Sequence, residues 1–258
     1  MEPAAARLRR AASTRVAVYH YGAGLGWLEE ASLSVLRRVY GAAGGEAPGF
    51  VELHLYPSRG VMEAALFRLS AEAGAAVEAG YELVYEAWSG VPRIHVPAEA
   101  GRGGFFEALL GHEAVHSVLH AGLGFYLVEP PSPSRLGLLA AQLAAAAVKD
   151  LEVHGWAALR GLGWLLRGEA GYWEPLLRGM RCGNAGEVGD AARAATVWLA
   201  AGGEPPLTPS CRRRLGRVLS LLSALLSSWL RGGERPWTGL GGVAEAVLEA
   251  LEGLEAEA

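Results

Sequence analysis

Five consecutive residues, His112-Glu113-Ala114-Val115-His116, have types and a spacing that suit metal chemistry. On a helix, residues four apart lie one turn along the same face, so both imidazoles can reach one ion. Glu113 falls roughly 100° round the axis. From there a carboxylate can take a proton from a water activated by that ion. The chemistry implied is attack of water on a carbonyl, with the metal as Lewis acid and Glu113 as general base. Chain-wide composition makes the motif stand out, because only 7 residues are His and only 3 of those lie between positions 112 and 120.

The elements that must position this motif can be read around it. Phe105 to His120 has a helical pattern and ends near Gly122 and Gly124. Upstream, Arg15 to Tyr21, Phe50 to Tyr56 and Tyr81 to Trp88 read as strands. Phe50 to Tyr56 alternates, with Val51, Leu53 and Leu55 on one side and Glu52, His54 and Tyr56 on the other. His20, His54 and His95 fall on strand patterns and are expected at the surface or on a sheet face. Arg93 to Val96 is a short strand, and the prolines at 92 and 97 favour a sheet edge. Leu28 to Ala42 and Val61 to Ala79 have helical patterns. Pro130-Pro-Ser-Pro133 is a stiff connector, giving an α/β segment over 1–130 and a helical one over 131–258. The second segment should hold a long helix from Leu136 to about Leu166, broken or frayed at Gly161 and Gly163. Further helices follow around 185–201, 209–230 and 242–254.

Strands followed by an H-E-x-x-H helix followed by a helical half resemble the zincin metallopeptidases, and in particular compact archaeal zincins of unassigned function. The resemblance covers roughly residues 15 to 160 and is one of motif and architecture. It implies an α+β fold with a small twisted mixed sheet, an edge strand that binds extended substrate, and a Zn²⁺ cofactor held by His112 and His116. It also implies a third ligand from a later helix, Glu in gluzincins and Asp in aspzincins. The metzincin extension is absent, since its Gly and His positions hold Leu119 and Gly122.

Helical phase sorts the candidates for that third ligand on the long helix. Setting Gln142 at zero and advancing about 100° per residue puts Lys149, Glu152 and Arg160 on one stripe, expected to be solvated. Asp150 and His154 fall among Leu136, Leu139, Leu143 and Ala147, the apolar face. A buried carboxylate needs a partner. Asp is also scarce here, with 2 of the 27 acidic residues. Asp150 is therefore the expected third ligand, with His154 and Glu152 as alternatives. His154 is expected to orient Asp150, to stabilise an oxyanion or to bind metal itself. His120 reads as a helix-end residue, with fourth ligand as the alternative.

Composition bounds the rest. Of 23 basic residues 22 are Arg, and Asn and Gln occur once each. Scarce Asn, Gln, Cys and Met suit a thermophile, while the Arg-over-Lys bias points as easily to a GC-rich genome. A net charge of −4 gives no footprint for nucleic acid. The longest charge-free runs are 13 residues, too short to span a bilayer. No secretory signal pattern follows Met1, so a cytoplasmic setting is expected. Cys182 and Cys211 are expected as two buried thiols, with one stabilising disulfide as the alternative. The function expected is a zinc metallopeptidase acting on a peptide or protein, with no nucleic acid or membrane partner. Two rivals stand beside it. One is a non-catalytic zinc-binding protein whose site is closed by His112, His116, Asp150 and His154. The other is a helical interaction protein with a fortuitous motif.

Overall fold

The computed structural model describes residues 6–73 and 82–257 and divides into two compact units, Met1–Leu123 and Gly124–Ala258. The fold is α+β, with strands confined to the first unit and the helices dominating the second.

The first unit holds a five-stranded mixed sheet in the order β1-β2-β3-β5-β4. These strands are β1 (Arg7–Ala11), β2 (Thr14–His20), β3 (Phe50–Tyr56), β4 (Val84–Glu86) and β5 (Arg93–Pro97). β1 and β2 form a hairpin, β2, β3 and β5 run parallel, and β4 is antiparallel to β5. Helix α1 (Gly26–Ala43) crosses from β2 to β3, α2 (Arg59–Ala73) follows β3, and α3 (Phe106–Leu119) follows β5. Period-two alternation separates the two faces. Val16, Val18, Leu53, Leu55, Ile94 and Val96 share one face and are fully buried. Helices α1 and α3 pack together, tied by a buried bond from the Tyr40 hydroxyl to Ser117 Oγ at 2.8 Å. The opposite face carries Glu52, His54 and Tyr56 on β3 beside Arg93 and His95 on β5. Met62 and Leu66 of α2 pack on Tyr56.

Two expectations change here. Arg93–Pro97 is an interior strand, because β4 adds an antiparallel partner beyond it. Pro92 precedes the strand and Pro97 is its last residue, in register with Tyr56, so neither marks an edge. The hairpin partner β1 is new, since its RLRRA sequence lacks the apolar alternation that marks a half-buried strand. Of the expected strand over 81–88, Val84–Glu86 is strand; residue 81 and the end of the expected helix beyond residue 73 lie outside the described residues.

The second unit is built around α4 (Arg135–Leu159), against which α5 (Gly163–Gly179), α6 (Ala185–Ala200), α8 (Gly216–Leu230) and α9 (Leu240–Glu257) pack. The short α7 (Pro209–Arg214) precedes α8. Ser134, Asn184 and Thr208 cap α4, α6 and α7 by accepting backbone N–H bonds. Gly161 ends the α4 segment in a left-handed conformation, φ +70°. Packing is close: a Cβ on Gly155 would stand 2.7 Å from Leu226 and 2.8 Å from Trp229. The chain resumes as α5 where no separate helix is expected, since Gly168, Gly171 and Pro175 inside it are poor helix formers. Cys182 and Cys211 are joined as a disulfide, and both are fully buried. The expectation of two thiols is corrected. Residues 29 apart in sequence meet because the Thr208 hydroxyl, which caps α7, also donates to Met180 O at 2.7 Å.

Candidate metal centre

The motif helix α3 brings His112 and His116 together. Their Nε2 atoms stand 2.9 Å apart, and both side chains are buried. Two nitrogens bound to a tetrahedral Zn²⁺ at about 2.0–2.1 Å would stand about 3.3 Å apart. The pair is therefore within a few tenths of an ångström of ligand spacing, and without an ion the same approach is a hydrogen bond between the two rings. Glu113 lies between them in sequence and is half-buried.

His116 is fixed on its other sides as well. Its Nδ1 lies 2.8 Å from Nδ1 of His120. The Tyr85 ring of β4 lies parallel to it, 9° from coplanar with centroids 5.6 Å apart. Register explains that contact. Tyr85 pairs with Ile94, so it shares the apolar face of the sheet with Ile94. His120 meets His116 at the nitrogen opposite the one that faces His112, which sets it apart from the ligand side.

In the helical unit, Asp150 and His154 of α4 are buried, as helical phase anticipates. Asp150 Oδ2 accepts from Arg193 Nε at 2.8 Å. A carboxylate can serve an arginine and a metal through different oxygens, and ligating carboxylates are commonly held this way. His154 has Nδ1 2.8 Å from the Thr196 hydroxyl and Nε2 2.7 Å from Glu169 Oε2. A donor role for His154 toward an oxyanion would cost one of those bonds.

Glu152 departs from expectation. Helical phase predicts a solvated position for it, yet it is fully buried. Its oxygens take Arg235 and the backbone N–H of Trp237, the latter at 2.9 Å. The segment leading into α9 covers Glu152, whereas Gln142 and Arg160 of the same stripe are exposed. Glu152 thus has a structural occupation of both oxygens. Glu169, Arg193 and Thr196 were missed. Glu169 lies on the helix that the glycines concealed, and nothing in sequence pairs Arg193 or Thr196 with α4.

Comparison with known protein families, curated proteins and solved structures finds no match. The chemistry of the donors must carry the assignment. Among the described residues, buried His, Asp and Glu groups could bind a metal ion: His112 and His116 in the first unit, and Asp150, His154 and Glu169 in the second. This donor set suits zinc, which takes imidazole nitrogen and carboxylate oxygen. No described helix is long and apolar enough to cross a membrane.

A separate polar network occupies the far face of the sheet. Glu52 accepts from Arg93 Nε at 2.7 Å and lies 3.1 Å from His54 Nε2. The His54 bond, with Arg93, holds its carboxyl down at about 2 against the push of burial. His95 is fully buried, with Nδ1 2.8 Å from the Tyr56 hydroxyl. Burial keeps its imidazole well below the usual range.

Proposed function

We propose that this protein is a zinc-dependent peptidase, with His112, His116 and Asp150 as ligands and Glu113 as general base. The observation that carries the reading is the convergence of the two Nε2 atoms within the H-E-x-x-H helix. When bound, zinc supplies Lewis acidity, lowering the pKa of water and polarising an amide carbonyl. Glu113 takes the proton from the attacking water and passes it to the leaving amine. Arg193 holds Asp150 through Oδ2 and orients its carboxylate.

The substrate is an extended peptide or protein segment. The expectation that it lies along Arg93–Val96 gives way to β4, one of the two terminal strands among the described residues, because β5 is paired on both sides. Strand addition at that edge offers backbone pairing, and the stack of Tyr85 on His116 sets β4 beside the motif helix. A closed, non-catalytic site would need His154 as a fourth ligand. The open reading leaves the bonds of His154 to Thr196 and Glu169 in place. We place the protein in the cytoplasm of a thermophile, where an internal disulfide persists.

The test is digestion of a synthetic peptide library by the zinc-loaded protein, followed by mass spectrometry. Cleavage that stops on chelation and in the Glu113→Gln variant supports the reading. Equal cleavage by that variant refutes it.

A further inference from the structure

His116 is gripped from three directions by its own unit. Nε2 faces His112, Nδ1 meets Nδ1 of His120, and Tyr85 covers the ring face. His120 is in turn pinned. It caps the C-terminus of α3, and its backbone N–H donates to His116 O at 2.8 Å. Its carbonyl accepts the Tyr85 hydroxyl at 3.2 Å. Its side chain is buried, with 1% exposure. An uninterrupted helix would carry a residue eight after His112 back onto the ligand stripe. The backbone leaves the helix at His120, φ −124° and ψ 31°, and the ring lies behind His116 instead.

Resting on the zinc reading above, we infer that His120 is a positioning residue that sets the tautomer of His116. A neutral imidazole has one N–H and one lone pair. For His116 to offer its Nε2 lone pair to an ion, its proton must sit on Nδ1, where His120 Nδ1 accepts it. His120 then carries its own proton on Nε2. Without an acceptor at that point, His116 can settle with its proton on Nε2, and that form does not coordinate. Tyr85 fixes the acceptor by holding the His120 carbonyl and stacking on the ring that His120 orients. A partner for the second nitrogen of a ligating histidine is a general need of such sites. Here the sequence supplies it from the same helix end.

The experiment is zinc competition against a chromophoric chelator, on the full chain, for wild type, His120→Phe, His120→Asn and Tyr85→Phe. Melting of the zinc-free proteins runs alongside. His120→Phe keeps an aromatic ring but offers no acceptor, and should weaken zinc about 10- to 100-fold. His120→Asn, whose Oδ1 stands near the place of Nδ1, should stay close to wild type. Tyr85→Phe, which keeps the stack, should fall between them. Equal affinity in all four chains overturns the inference, and so does a His120→Asn chain as weak as His120→Phe. If His120→Phe does not fold, ring ¹⁵N NMR of the wild-type zinc form decides. It should show a proton on Nδ1 of His116 and none on Nδ1 of His120; the reverse overturns the inference. A wild-type chain that takes no zinc removes the metal reading and this inference together. Zinc binding indifferent to His120 removes this inference alone.

Discussion

The Nε2 atoms of His112 and His116 stand 2.9 Å apart on one side of α3. Glu113 lies on the next face of the same helix and takes no part in that pair. On the proposed reading, metal binding and proton transfer therefore fall to different side chains. Glu113→Gln should keep its zinc within a small factor and lose about 10²–10⁴-fold in peptide hydrolysis. Zinc content and cleavage rate measured on one preparation check this. Loss of both together would tie Glu113 to the metal instead.

Glu152 and Arg235 form a pair whose carboxylate is fully buried and whose guanidinium is 40% exposed. Glu152→Ala removes the acceptor for Arg235 and for the Trp237 N–H. Solvent can recover part of the arginine's loss, so the expected cost is about 1–3 kcal/mol. Zinc affinity should not change. Chemical denaturation and metal titration on the variant test both halves. Unchanged stability with lost zinc would make Glu152 a ligand.

The Cys182–Cys211 disulfide closes a loop of 29 residues within the helical unit. Loop-closure entropy gives such a bond about 3–4 kcal/mol. Cys211→Ala, or reduction under denaturing conditions before refolding, should lower the melting temperature of that unit by several degrees. Calorimetry of oxidised and variant protein provides the comparison. Identical melting would show that the core around Cys182 holds without the bond.

His95 makes a pH prediction. Its folded-state pKa is depressed by burial, while the unfolded chain titrates near 6.5. Below that pH the unfolded state binds the extra proton, so stability is full above 6.5 and declines as pH falls. The slope from this one group approaches about 1.4 kcal/mol per pH unit. Glu52, held near 2, adds a loss of its own that begins lower, as pH falls below its ordinary value of 4.5. Denaturation midpoints between pH 7 and pH 5 should therefore fall in wild type and flatten in His95→Asn. Parallel curves for the two proteins would contradict this.

The motif helix, the three parallel strands and the inward turn of Asp150 and His154 were legible because each rests on a local period. Phe50–Tyr56 and its alternation follow from the sequence without further information. The remainder depended on neighbours. Arg93–Pro97 could not reveal β4 as its outer partner, and Glu152 could not reveal that the chain 83 residues later would cover it. The α5 helix hid behind glycines whose cost is offset by packing on α6. The partners of Asp150 and His154, namely Arg193, Thr196 and Glu169, come from other helices, and helical phase predicts a face without predicting what meets it. Tyr85 became readable only once the register of β4 against β5 fixed its side of the sheet.

Elemental mass spectrometry of the purified chain, beside His116→Ala and Asp150→Ala, tests the central claim most directly. We predict about one zinc per wild-type chain, none in His116→Ala, and a sharply reduced content in Asp150→Ala. Absence of zinc from wild type, even after reconstitution, would contradict the account.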